Sequence, residues 1–255
     1  MIRVLATNDD GIQAKGLKAL VDSLKSVAEL AVVAPATQAS ATAHSISLHK
    51  TIKVQKVAWK NHPLSFSVQS TPVDCVRLAV LKLLPWRPDF IISGINQGAN
   101  YGSLIFYSGT VAAAIEGAIL GIPSIAISLA SFKYQNYSAS SYFIAKFLTN
   151  LIKKKSTSNA VYNINVPPVS KNKIHGIAVT HQGKFRYVDD MQPHAVLKNH
   201  FQYVINSPFS PMHEHKNSDV EMVRKNFISV TPLEINLTNF KLIRETQKKL
   251  SEIDF

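Results

Sequence analysis

From residue 1 to about residue 165, short apolar runs alternate with stretches of helical periodicity, and this alternation restricts the fold more than any other feature. Ile2 to Thr7 is β-prone and runs directly into Asn8-Asp9-Asp10-Gly11. Leu17, Leu20, Val21 and Leu24 then fall on one helical face. Residues 28–34 form an unbroken apolar run closed by Pro35, the pattern of a strand buried on both faces in a parallel sheet. The unit recurs. A helix starts at Thr71-Pro72, where proline suits the first turn, and runs to about Leu84. Phe90 to Ser93 reads as a strand, Thr110 to Leu120 as a helix, Ser124 to Ser128 as a strand and residues 139–153 as a helix. Residues 51–70 alternate apolar and polar and suit antiparallel strands. The pattern predicts an α/β fold built on a doubly wound, mostly parallel sheet.

Beyond Pro167-Pro168 the rhythm changes, which places a boundary near 168: a catalytic domain over 1–168 and an extension over 169–255. The extension carries β-prone segments at 174–181, 185–188 and 226–231, a Pro/His/Ser/Asn-rich loop at 206–218, and an amphipathic basic helix at about 238–252. The 255 residues suffice for a core without staples. The lone cysteine, Cys75, sits in an apolar helix-like stretch and reads as a small buried hydrophobe; no intrachain disulfide is possible. No leader segment is expected, since residues 1–6 are too short for an apolar h-region, and the apolar run 111–130 is broken by Glu116, Gly117, Gly121 and Pro123, so it reads as helix, turn and strand. A cytoplasmic protein without a membrane partner is expected. The net charge of +12 favours anionic ligands. Its basic residues are scattered apart from Lys153-Lys154-Lys155, with no aromatic-interleaved stripe, so no specific nucleic-acid partner is expected.

The polar residues recur where strands end, and ligands of open α/β sheets bind at the carboxyl ends of strands. The first strand delivers Asn8, Asp9 and Asp10; the loop after Pro35 contains Ser40; the strand ending at Ser93 leads to Asn96 and Asn100. Two adjacent carboxylates need a neutralising partner, and a hard cation such as Mg²⁺ or Mn²⁺ is one. A helix N-cap is the alternative use of one aspartate, and this segment alone does not separate the two. Glycines at 94, 98 and 102 allow close backbone approach, although the stretch is neither a Walker A loop nor a dinucleotide fingerprint. Ser108-Gly109-Thr110 stands at the start of a helix and makes an anion cradle of hydroxyls and free N–H groups. Carboxylates, amides and a phosphate cradle on one sheet point to metal-assisted phosphoester hydrolysis. His44, His49 and His181 show no zinc-ligand spacing, although His44 is close enough to Ser40 to approach the site.

These residues resemble the SurE family, the survival-protein nucleotidases. The matching segments are residues 7–12 with Gly16-Leu17, Val33-Ala34-Pro35, residues 71–76, residues 93–102, Tyr107-Ser108-Gly109-Thr110 through Ala114, residues 116–126, residues 163–167 and residues 229–233. The resemblance implies a Rossmann-like domain, one divalent metal per subunit (Mg²⁺ or Mn²⁺), and hydrolysis of 5′- and 3′-nucleotides, with short polyphosphates as a further substrate. It carries metal ligation onto Asp9, Asp10, Ser40 and Asn96, and phosphate contact onto Asn100, Ser108, Gly109 and Thr110; Asn8 is counted with the substrate-binding residues. It also implies homodimers that exchange C-terminal elements through a β-hairpin and helix, with tetramers built from them. The sequence departs from the family pattern at Ala36 and Thr37, where Asp and Arg are common, at Ala41, where Gly follows the serine ligand, and at Asn236 in place of Asp.

On this reading Asp9 or Asp10 accepts the proton of an attacking water while Asn100 and the Ser108 cradle hold the phosphate. A haloacid-dehalogenase-like mechanism would require a nucleophilic carboxylate at position 8, and Asn8 cannot form an aspartyl phosphate. A nucleotide- or nucleic-acid-binding module without turnover is the rival from another class, motivated by the charge.

Overall fold

The computed structural model describes residues 1–59, 64–154, 160–184, 190–197, 200–206, 215–251 and 253. β1 (Ile2–Thr7), α1 (Lys15–Leu24) and β2 (Ala28–Pro35) form the opening β-α-β unit. β3 (Val54–Lys56) and β4 (Ser65–Val68) follow, then α2 (Pro72–Leu78), β5 (Phe90–Gln97), α3 (Gly109–Ile119), β6 (Ser124–Leu129), α4 (Ser138–Lys153) and β7 (Val161–Val166). The chain continues through β8 (Gly176–Val179), β9 (Asp190–Leu197), β10 (His200–Asn206), α5 (Asp219–Arg224), β11 (Phe227–Leu233) and α6 (Phe240–Leu250).

Among the described residues nine strands form one sheet in the order β3-β4-β2-β1-β5-β6-β7-β11-β8. The run from β4 to β7 is parallel. β3 is antiparallel to β4, and β11 is antiparallel to β7 but parallel to β8. The doubly wound, mostly parallel architecture expected from the alternation is therefore present.

Local chemistry explains the elements. Val4, Leu5 and Ala6 in β1 and residues 30–34 in β2 are buried, as both faces of a central parallel strand must be. α1 buries Leu17, Leu20, Val21 and Leu24, the stripe that its periodicity predicts. Each buried leucine contributes roughly 2 kcal/mol. Gly16 lets α1 approach the sheet, because a Cβ there would stand 1.9 Å from the Ile95 carbonyl oxygen. α2 is capped by Thr71, whose hydroxyl accepts from the Asp74 N–H at 3.1 Å, with Pro72 in the first turn. The helix expected to continue to Leu84 instead widens at residues 79–83 into a π-helical turn. Cys75 is buried as expected, and burial pushes its thiol pKa up. No helix of the described residues is long and apolar enough to cross a membrane.

The boundary expected near 168 does not coincide with the edge of the sheet. β8 and β11 continue it, and the buried Val220 and Val223 of α5 lie beside β11. What leaves the sheet is the β9–β10 hairpin, which among the described residues pairs only with itself, and α6, which among them buries no residue. The strand expected at 185–188 lies outside the described residues, as does most of the loop at 206–218.

Candidate active site

β1 pairs with β2 on one side and with β5 on the other. The chain thus builds outward through β2 and β4, then crosses back to add β5, β6 and β7. At this reversal the connections leaving the two strands part in opposite directions and open a crevice at their carboxyl ends. β1 delivers Asn8, Asp9 and Asp10 to that crevice, and β5 delivers Asn96. The resulting cleft holds about 350 Å³ and is lined by Asp9, Asp10, Ser40, Asn96, Asn100 and Ser108 among others.

Asn8 lies beneath the cleft. It is fully buried and its amide nitrogen donates to the Gly11 carbonyl at 2.9 Å, closing the turn after β1. Gly11 has φ +98°, a conformation that favours glycine. The loop after β2 is stitched back onto this turn: Ala39 N–H donates to the Asp9 carbonyl at 2.7 Å, and Ile12 N–H donates to the Pro35 carbonyl at 2.8 Å. These bonds bring Ser40 to the cleft, where its hydroxyl accepts from the Gln38 amide at 2.8 Å.

Asp9 is 4% exposed. The Thr110 hydroxyl donates to its Oδ1 at 2.5 Å. α3 is pressed against it, since a Cβ at Gly109 would lie 2.8 Å from Asp9 Cβ and 3.0 Å from Oδ2. Burial raises the Asp9 pKa to about 6; the Thr110 hydrogen bond opposes the shift and the adjacent Asp10 charge adds to it. Burial also raises the Asp10 pKa, opposed by the Gln97 N–H that donates to its Oδ2 at 3.2 Å.

No lysine or arginine among the described residues forms an ion pair with either aspartate. Two crowded carboxylates without a counter-charge are costly, and a cation is what this pair lacks. Among the described residues no three of His, Cys, Asp and Glu gather. Any metal here therefore has two carboxylates supplemented by neutral oxygens, the donor set of a hard cation rather than of zinc. Asn96 commits its amide nitrogen to the Gly98 carbonyl at 2.9 Å, which leaves its oxygen as the remaining functional atom. Thr7 Oγ1, Asn8 Oδ1 and Ser93 Oγ are buried at this end of β1 and β5 with no partner among the described residues. These residues fit a hard divalent cation.

The expected phosphate residues divide. Ser108 reaches the cleft and also caps α3, accepting from Val111 N–H at 3.1 Å. Thr110 is fully buried and its hydroxyl serves Asp9, so the structure places it behind the carboxylate rather than on the open side of the cradle. Asn100 lines the cleft and is held on every side. Its N–H donates to Asn165 Oδ1 at 2.8 Å and its amide nitrogen to Ser128 Oγ at 2.9 Å. Its carbonyl accepts from the Asn163 and Asn165 amides at 2.6 and 3.1 Å.

Three supports were missed in the sequence. Glu116, 3% exposed, bridges His44 Nε2 at 2.8 Å and Arg77 Nη1 at 2.7 Å. Burial works against its ionisation, but these two partners outweigh burial and hold its pKa below the usual value. Asp74 accepts from Ser47 N–H at 3.1 Å and from the Ser70 hydroxyl at 2.5 Å. Glu116 and Asp74 thus fasten the Ser40 loop to α3 and α2. Ala41 and Ala43 in that loop adopt φ +56° and +51°, at a cost on the order of 1 kcal/mol each, and Ala41 is where the family commonly has glycine. Asp219, fully buried, accepts from Gly102 N–H at 3.0 Å and from Gly183 N–H at 2.8 Å, fixing the loop beyond Asn100. The one signal available was a charged residue within an apolar helix at Glu116.

The family model of survival protein SurE matches residues 4–189. The chain is 37% identical over 246 residues to a protein named 5′-nucleotidase SurE from Alkaliphilus metalliredigens, covering 96% of this chain and 97% of that one. It is 39% identical over 254 residues to one of the same name from Synechococcus elongatus, covering 96% and 98%. The crystal structure of a SurE protein from Aquifex aeolicus superposes with a TM-score of 0.85 at 32% identity, covering 97% of this chain and 99% of that one. With the family's segments spread over nearly the whole chain and its fold reproduced, this chain belongs to the SurE family.

Proposed function

We propose that the protein is a nucleotidase that hydrolyses nucleoside monophosphates to nucleoside and phosphate, using one divalent cation per subunit, Mg²⁺ or Mn²⁺. The observation that carries this reading is the buried Asp9 with the half-buried Asp10 beside it, without a counter-charge among the described residues, set against the start of α3 in a switch-point cleft. The names of the similar proteins supply the substrate class.

Asp9, Asp10, Ser40 and Asn96 would hold the cation. When bound, it supplies Lewis acidity to the phosphoryl group and makes water a stronger nucleophile. The remaining work falls to the chain. The Thr110 hydroxyl fixes the Asp9 carboxylate, and Asp9 or Asp10 takes the proton from the attacking water. Ser108 and the first turn of α3 face the charge that develops on the phosphate oxygens, and Asn100 limits where the phosphate sits. The buried Asn8 carries an amide that cannot attack phosphorus, so no phospho-enzyme is expected. The same chemistry extends to 3′-nucleotides and short polyphosphates.

The working form is a homodimer that exchanges its C-terminal hairpin and helix, with tetramers built from it. Support comes from α6, which buries no residue while Phe240, Leu242, Ile243 and Leu250 are exposed, and from the exposed Phe201 and Tyr203 of the hairpin. We assign it to the cytoplasm, where the lone buried Cys75 needs no oxidising chemistry. Phosphate release from AMP tests the function: turnover with Mn²⁺ or Mg²⁺, abolished by chelator and by Asp10→Asn, is expected. Binding of nucleotide or RNA without turnover would replace the reading with a binding module.

A further inference from the structure

Beside the cleft lies a second hollow of about 410 Å³, and Ala99 and Phe132 are common to the linings of both. Tyr101, Lys133 and Arg224 line the second hollow as well. The Phe132 ring lies against the Gly98 backbone. Two of its carbons would stand 2.6 Å from a Cβ at Gly98, and its carbonyl accepts from the Gln97 side-chain amide at 2.5 Å. The ring remains 60% exposed, an apolar step shared by the two spaces. The Ser131 hydroxyl accepts from both Lys133 N–H at 3.1 Å and Tyr134 N–H at 3.0 Å, which holds the turn that presents Lys133.

Lys133 and Arg224 come from distant parts of the chain, the loop after β6 and the end of α5, and converge on one concavity. Neither has an ion-pair partner among the described residues. The carboxylates nearest in sequence to Arg224 are engaged elsewhere: Asp219 accepts from Gly102 and Gly183, and Glu221 pairs with Lys225 at 2.9 Å. Two uncompensated cations in a concave site with apolar walls attract an anion, and a guanidinium suits phosphate in particular.

We propose that this hollow binds a second phosphoryl group of the substrate, remote from the one hydrolysed, with the intervening part of the substrate lying over Phe132. The inference rests on the nucleotidase reading of the adjacent cleft and deepens it. The substrate class it favours is the nucleotide with a second phosphate, such as a nucleoside 3′,5′-bisphosphate, over the simple monophosphate. A polyphosphate chain offers the same chemistry without a nucleoside.

The test compares initial phosphate release from AMP, adenosine 3′,5′-bisphosphate and tripolyphosphate in the wild type, Lys133→Gln, Arg224→Gln and the double variant. The readout is the ratio of kcat/KM for each doubly anionic substrate to that for AMP. The double variant is expected to lower at least one ratio roughly tenfold, mainly through KM, since charge-assisted contacts are lost. The substrate whose ratio falls identifies the source of the second phosphate. Lys133→Arg keeps the charge and retains the ratios, as does Lys18→Gln on the remote α1, while Arg224→Lys keeps the charge but not the planar fork and lowers them less than Arg224→Gln does. Ratios unchanged in the double variant overturn the proposal. Should the wild type release no phosphate from AMP, the nucleotidase reading fails instead. The hollow is then tested by calorimetric binding of the bisphosphate, which must weaken about tenfold in the double variant for the proposal to stand.

Discussion

Asp9→Asn offers an unusual combination, a loss of function accompanied by a gain in stability. Burial is the main force that raises the Asp9 pKa from 3.8 to about 6, so in chelator the folded protein binds this proton more tightly than the unfolded chain. A group raised in this way gives stability that is fully present below about pH 4 and lost as pH climbs through about 6. A shift of about two units corresponds to about 3 kcal/mol. Asparagine keeps the shape and an oxygen to accept from Thr110 but never carries the charge, so it escapes the loss. In EDTA at pH 8 the variant should therefore melt above the wild type by on the order of 6 °C, given the unfolding entropy of a chain of 255 residues. The gap should largely close near pH 4, where Asp9 is protonated in the folded chain and close to half protonated in the unfolded one. Calorimetric melts at pH 4, 6 and 8 measure it. Adding Mn²⁺ should then raise the wild type and leave the variant unmoved. A variant less stable than the wild type at pH 8, or a gap independent of pH, would refute the picture of an uncompensated buried carboxylate.

Three further variants extend the test. Gly109→Ala inserts a methyl 2.8 Å from Asp9 Cβ and should cost about 1–3 kcal/mol in denaturant melts while cutting phosphate release, because α3 must retreat from the carboxylate. Glu116→Gln should raise the concentration of Mn²⁺ needed for half-maximal turnover, since His44 and Arg77 lose the charge that fastens the Ser40 loop. Because the Glu116 pKa is lowered, its stabilisation is present above pH 4.5 and disappears as pH falls through the lower folded value, so melts of the variant should show a weaker acid dependence. Deleting the chain from Phe240 onward removes α6 and should shift the sedimentation of the oligomer toward smaller species.

The legible part of the sequence was the part written locally. Unbroken apolar runs at β1, β2 and β5 mark parallel strands, and a helical stripe marks α1, because both patterns arise from near neighbours in the chain. The carboxylate pair could be placed at a strand end for the same reason. What the sequence hid depends on partners far along the chain. Glu116 meets His44 from 72 residues away, Asp219 meets Gly102 from 117, and Asn165 meets Asn100 from 65. No local pattern announces such pairs. β11 shows the same limit, since its strand character is local but its places beside β7 and β8 are not. In the sequence the Ser108-Gly109-Thr110 cradle reads as one set of hydroxyls. At the start of a helix, residues two apart point in different directions, so Ser108 faces the cleft while Thr110 turns to Asp9.

The central claim is that Asp9 and Asp10 hold a cation that the reaction requires. Its most direct test is phosphate release from AMP by chelated protein as Mn²⁺ is titrated back, run in parallel on the wild type and Asp10→Asn. Saturable recovery in the wild type with none in the variant is the expected result. Turnover that survives chelation, or a variant that recovers as the wild type does, would contradict the claim.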